Sequence, residues 1–196
     1  CMGGNHHLAA DYLISTGVLP GGVSNPTGAG FCKNYRFKEC ALDLSTQVSG
    51  APPLCTDADL DVSNYRTNCS NICDDGSNPT VAPFKIVSKV VLTSLAQMVS
   101  ALDISQKIII QQMIVYEDLF NVKSTDIYTY TYGRHLGMVT VAIYGYLTDT
   151  ATAQDYWIVR MPFGSNFGGD GGYIKIYKGG NVAGIESPGT AFYLNV

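Results

Sequence analysis

The chain has 196 residues, 46% of them hydrophobic and only 14% charged, with 21 glycines and a formal net charge of −4. That length suits one domain and can bury roughly 70% of the unfolded surface, so a real core is available. The absence of a basic cluster argues against nucleic acid as a partner, and no apolar run reaches the ~18 residues of a membrane span.

The first element in chain order is a short helix over 7–16, with apolar residues at 8, 9, 12 and 13 and Gly17 to end it. His6 and His7 are adjacent, point about 100° apart on a helix, cannot chelate together and are expected at the surface. Residues 18 to about 84 are turn chemistry almost throughout, including Gly21-Gly22, Asn25-Pro26, Pro52-Pro53, Asp75-Gly76 and Asn78-Pro79. A second helix is read over 92–102, with Leu92, Leu95, Ala96, Val99 and Leu102 on one face. Strand signals follow at 107–116, 127–132, 138–147, 156–161 and 172–178, and Gly164, Gly168, Gly169, Gly171 and Gly172 mark a tight connection before the last. Helix and loop first and antiparallel strands second predict an α+β fold. The expected division is a helical segment over 1–20, a stapled loop region over 21–84 and a mainly β half over 85–196.

Six cysteines stand at 1, 32, 40, 55, 69 and 73. Cys69-x-x-x-Cys73 has no second close pair at zinc-finger spacing, so disulfides in an oxidising compartment fit better than zinc, and no metal or cofactor is expected. Such cysteines would also staple a loop too long to order itself. Together they suggest a secreted, extracellular or lumenal setting. Asn68-Cys69-Ser70 is the one N-x-S/T triplet with an allowed middle residue, which makes Asn68 a candidate glycosylation site. Chance occurrence is the alternative, and a bonded Cys69 would hinder the transferase. The chain opens on Cys1 without the basic and apolar regions of a signal peptide, so any such peptide is expected upstream or already removed.

Cys1-Met2-Gly3-Gly4 followed by Ala9-Ala10-Asp11-Tyr12-Leu13 resembles the Cys-x-Gly-Gly segment and helix of papain-like cysteine peptidases. Phe31-Cys32-Lys33-Asn34-Tyr35, Pro52-Pro53-Leu54-Cys55, Cys69-Ser70-Asn71-Ile72-Cys73, Val115-Tyr116-Glu117-Asp118-Leu119 and Gly184-Ile185-Glu186-Ser187 resemble the cathepsin B branch. The resemblance runs over nearly the whole chain. It implies the papain-like fold: a β-barrel-like antiparallel right-hand domain plus part of the helical left-hand domain. It also implies the pairs Cys32–Cys73 and Cys40–Cys55. The second closes a loop of about 15 residues, worth roughly 3 kcal/mol by loop entropy. Cys1 and Cys69 would then bond to a segment upstream of Cys1, an N-terminal part of the same precursor. The rival is a direct Cys1–Cys69 bond. The same resemblance places a central helix upstream, without which this chain would expose too large an apolar face to fold alone.

In this family a cysteine thiolate attacks the scissile carbonyl, a histidine moves the proton and an asparagine orients the histidine. The nucleophile and the oxyanion-hole glutamine would lie upstream of residue 1. The histidine position, six residues before Gly145, is Val139, which has no titrating group. The asparagine position is Met161. Phe163 stands for the family tryptophan, and Pro162 for the serine before it. His135 is a fallback base, but it lies four residues early, roughly 13 Å along an extended strand. The two histidines with which the cathepsin B branch grips a substrate's C-terminal carboxylate would fall in the 41–48 loop, which has none. The acidic residue of its specificity pocket is Pro188, and a free cysteine is Ala183. Gly3 and Gly4, whose backbone pairs with substrate in the family, could preserve a peptide groove or only a turn.

The expectation is a catalytically inactive, cathepsin B-like protein with a binding or structural role, with a larger protein assembly as a candidate partner. The alternative is an active cysteine endopeptidase using His135 and an upstream cysteine.

Overall fold

The computed structural model describes residues 4–22, 32–34, 54, 56, 72–79 and 82–195. The chain divides into two compact units, residues 1–5 with 12–85, and residues 6–11 with 86–196. Helix α1, His6–Ser15, contributes its first six residues to the second unit and its last four to the first.

In the first unit, Gly17 ends α1 with φ at +82°, donating to the Tyr12 carbonyl at 3.0 Å. This is the left-handed cap that glycine adopts without strain. A Cβ there would stand 2.7 Å from the Phe84 carbonyl oxygen and Lys85 Cγ, so glycine is needed for space as well. Val18 and Phe84 then exchange two backbone hydrogen bonds of 2.9 and 2.8 Å. Strands β1, Gly21–Gly22, and β2, Lys33–Asn34, pair in parallel. A disulfide joins Cys32 to Cys73, the first of the two expected pairs. Asp74 accepts from Lys33 Nζ at 3.1 Å and Asn34 N at 2.9 Å, fixing the same corner. Cys1, Gly3, Cys40, Cys55, Asn68 and Cys69 lie outside the described residues, so the second pair, the upstream links and the glycosylation site do too.

The second unit is built on a sheet of seven strands. They are β3, Ser88–Leu92; β4, Ile109–Tyr116; β5, Ile127–Tyr128; β6, His135–Thr148; β7, Asp155–Arg160; β8, Tyr173–Tyr177; and β9, Ala191–Asn195. Their order is β3-β9-β4-β6-β7-β8-β5, antiparallel except for the β5–β8 pair. Strict alternation sets the core face: Ile109, Gln111, Met113 and Val115 of β4 point inward and are buried. They join Val141, Ile143, Trp157, Val159, Ile174 and Ile176. Helix α2, Leu95–Asp103, adds Met98 and Ala101 to this core.

Two of the boundaries that differ from the sequence reading have a clear physical cause. The second helix starts at Leu95 instead of residue 92, because Ser94 caps it by accepting from Gln97 N at 3.3 Å. Leu92 ends β3, in which Val90 and Val91 favour the extended chain and which the helical period concealed. Strand β5 stops at Tyr128 instead of 132, because the backbone N–H groups of Thr131 and Tyr132 turn to the Asp118 carboxylate, at 2.8 and 3.2 Å. His6 and His7 are half-buried, contrary to the expected surface placement. Their rings lie 5.4 and 4.8 Å from that of Phe192, and His6 Nε2 donates to the Thr190 carbonyl at 2.7 Å. Burial, then His6 and Lys89, hold the His7 pKa below its ordinary 6.5.

Two carboxylates brace the loops of this unit. Glu186 Oε1 accepts from Trp157 Nε1 at 2.8 Å and Gly179 N at 2.6 Å, while its Oε2 accepts from Asn181 N at 2.9 Å. This gives the Gly184-Ile185-Glu186-Ser187 motif its physical role. The turn it closes holds Asn181, Ala183 and Gly184 at positive φ. Buried Gln111 anchors the same turn, donating from Nε2 to the Ile185 carbonyl at 2.8 Å. Burial works to raise the Asp118 pKa, but hydrogen bonds from Thr131 N, Tyr128 Oη and Tyr132 N outweigh it and hold the carboxyl below its ordinary value. Burial and the Asp118 carboxylate push the Tyr128 hydroxyl far above its ordinary range.

Candidate functional site

The positions at which the resemblance puts the base and its orienting group both lie in the second unit. Val139 sits in β6 opposite Met113 of β4, with its side chain half-buried against the core. Met161 follows the last residue of β7, is 1% exposed, and is held by its backbone N–H donating to the Gly172 carbonyl at 2.9 Å. Both side chains belong to one apolar cluster with Met113, Val141 and Val159. Neither offers a proton, a lone pair basic enough to take one, or a directed hydrogen bond.

Phe163, which the resemblance sets at the family's tryptophan position, packs on two other rings: Phe120 at 5.6 Å and Phe167 at 5.0 Å between centroids. Pro162 beside it is exposed, as is Pro188, and Ala183 is 8% exposed at the turn of the Glu186 motif.

His135 opens β6 opposite Tyr116, exposed, with ring centroids 6.1 Å apart. A general base at the position of Val139 would require about four extra residues between His135 and Gly145. Strand β6 absorbs one residue at Leu136 and one at Tyr144, each at a register shift. His135 and Val139 therefore remain separate points on one strand. Gly4 is exposed, and a Cβ there would meet nothing within 4 Å, so no close approach of described atoms demands a glycine.

A hollow of about 380 Å³ opens beside Met161, lined by Ile110, Thr140, Ala142, Arg160 and Pro162 among others. The strand register sets Ile110, Ala142, Arg160 and Tyr173 in a row across β4, β6, β7 and β8. The Arg160 guanidinium lies 5.1 Å from the centre of the Tyr173 ring, and Tyr144 meets that ring edge-on at 5.4 Å. Sequence reasoning passed over Arg160; its signal was a lone cation in the apolar run Tyr156-Trp157-Ile158-Val159-Arg160-Met161.

Among the described residues, no helix is long and apolar enough to cross a membrane. The family model "Papain family cysteine protease" matches residues 1–192. The chain is 31% identical over 189 residues to "Gut-specific cysteine proteinase" of Caenorhabditis elegans, an alignment covering 95% of this chain and 50% of that protein. It is 30% identical over 186 residues to "Cathepsin B-like cysteine proteinase 4" of the same organism, covering 95% and 52%. Over 133 residues it is 34% identical to "Cathepsin B-like CP1" of Giardia intestinalis, covering 65% and 41%. The chain thus spans about half the length of the first two relatives. The fold is similar to that of "proCathepsin B S9 from Trypanosoma congolense", with a TM-score of 0.70 and 22% identity, covering 100% of this chain and 54% of that one. The chain belongs to the papain family of cysteine proteases and is cathepsin B-like.

Proposed function

We propose that this chain is a catalytically silent cathepsin B-like protein whose role is binding or structural, in an extracellular or lumenal setting. The observation that supports this reading is apolar packing: half-buried Val139 and buried Met161, at the positions that the resemblance gives the imidazole and the amide, both pack into the core. Removing members of a catalytic triad lowers rates by orders of magnitude, and here the base and its orienter are both replaced. The 41–48 loop without histidine extends the argument to carboxydipeptidase activity.

The chain acts together with an N-terminal segment of the same precursor, linked through Cys1 and Cys69, with Cys40–Cys55 as the second internal bridge and Asn68 carrying a glycan. Support comes from the relatives, roughly twice as long as this chain. A second reading, an endopeptidase using His135 and an upstream cysteine, draws on the relatives named as cysteine proteinases.

The test is a thiol-reactive peptidyl probe on the protein with its upstream segment present, read by intact mass with and without reductant. No probe adduct, and release of a second polypeptide by reductant, are expected. Stoichiometric labelling of one cysteine at a rate that titrates with an imidazole would favour the second reading.

A further inference from the structure

We propose that the first turns of α1 form an acid-released latch: His6 and His7 hold this end of the helix on β9 while their rings are neutral, and it lets go when both rings carry a proton. The latch works whether or not the chain hydrolyses peptides. Its contacts are already formed within the second unit. His6 Nε2 donates to the Thr190 carbonyl at 2.7 Å, and its ring stacks on that of Phe192 at 5.4 Å. The His7 ring packs on the same Phe192 ring at 4.8 Å and lies 4.6 Å from that of His6. Phe192 is 2% exposed, so both imidazoles rest on the core.

Neutral rings suit this seat, and a pair of imidazolium ions does not. His6 and His7 are the first two residues of α1, whose first turn has no acidic side chain to offset the positive end of the helix. Lys89 of β3 adds a cation nearby, its Nζ donating to the His7 carbonyl at 3.1 Å. Among the described residues, the carboxylate acting on His7 is that of Asp11, one turn along α1, and it is paired with Lys89 at 2.8 Å. From the β9 side come the Thr190 carbonyl and the Phe192 ring, neither of them charged. The Thr190 carbonyl and Asp11 favour a proton on His7, but burial, His6 and Lys89 outweigh them. A doubly protonated pair would set three cations against one carboxylate, with the two rings 4.6 Å apart. Docking is therefore complete above the ordinary histidine value of 6.5, and it is lost as pH falls through the lower value of docked His7. The residues that move with the latch are Gly4, Asn5 and the first turns of α1, so the presentation of this segment follows pH.

The experiment follows hydrogen–deuterium exchange by mass spectrometry, on the protein with its upstream segment present, at pH about 7.5 and about 5.0. Labelling times are scaled to the intrinsic exchange rate at each pH. Protection of the α1 amides should fall roughly tenfold or more at the lower pH, while β4 and β7 keep theirs. A double variant, His6→Gln with His7→Gln, keeps a side-chain N–H donor at each position and takes no proton. It should hold α1 equally well at both pH values. Equal protection of α1 at the two pH values in the wild type, loss of β4 and β7 protection in parallel with α1, or a loss that persists in the double variant would overturn the proposal. If the double variant does not dock α1 at the higher pH, NMR titration of the wild-type His7 ring decides. A midpoint below 6.5 is expected, and one at or above 6.5 would overturn the latch.

Discussion

The carboxylate clusters and the Val139–Met161 corner treat polar chemistry in opposite ways. Glu186 and Asp118 engage both of their carboxylate oxygens with named donors, on turns that the surrounding backbone needs closed. At the corner where the family resemblance would put a proton shuttle, the side chains are valine and methionine, packed into the same core that supports the sheet. In the first region polar atoms serve the fold, and in the second apolar side chains do. Substitutions in both regions should therefore register as stability and not as activity.

The largest loss is expected for Glu186→Ala. It leaves the donors of Trp157, Gly179 and Asn181 without their acceptor, and the indole is fully buried. About 3–5 kcal/mol should disappear from denaturant unfolding, with the m-value unchanged if the sheet still forms. A loss below about 1 kcal/mol would show that the turn holds without its brace.

Met161→Asn sharpens the other side of the comparison. It puts an amide, the group that the resemblance gives this position, where the native side chain is 1% exposed and packed among apolar neighbours. Lost transfer energy and an amide without partners predict a destabilisation of about 2–4 kcal/mol, with no hydrolysis gained. Val139→His by itself should likewise give no hydrolysis, since Met161 leaves the imidazole without an orienting amide. A double variant, Val139→His with Met161→Asn, as stable as wild type would mean that the corner is a polar site after all.

A smaller effect comes from acid. The Asp118 pKa lies below its ordinary 3.8, so the unfolded chain binds the proton more readily. Its contribution is complete above 3.8 and is lost as pH falls through the folded value. The depressed His7 works in the same direction from a higher pH, with stability fading as pH drops below 6.5. Unfolding midpoints should fall in these two windows, and Asp118→Asn should flatten the lower one. A midpoint rising on acidification below 6.5 would contradict both assignments.

The β half was legible from alternation, because β4, β6, β7 and β8 bury one face and their Ile, Val and Tyr runs show it. Strand β3 was hidden because its final residue, Leu92, also falls on the helical period of α2. Strand β9 was missed because Ala191-Phe192-Tyr193-Leu194-Asn195 follows a turn-rich stretch and carries no alternation. The assignment of Val139 and Met161 to the histidine and asparagine positions rests on counting from Gly145 and along Tyr156-Trp157, and packing adds only that both side chains join the core. Arg160 drew no notice, since its place beside the Tyr173 ring depends on the β7–β8 register. The half-burial of His6 and His7 likewise depends on Phe192, some 185 residues away, which no local pattern reports.

The central claim is absence of catalysis, and its most direct measurement is turnover of a dipeptidyl fluorogenic substrate by the protein with its upstream segment present, with and without an epoxide that alkylates an active-site cysteine. A rate indistinguishable from buffer, unaffected by the epoxide, is predicted. Steady hydrolysis that the epoxide abolishes and His135→Ala lowers by orders of magnitude would contradict the account.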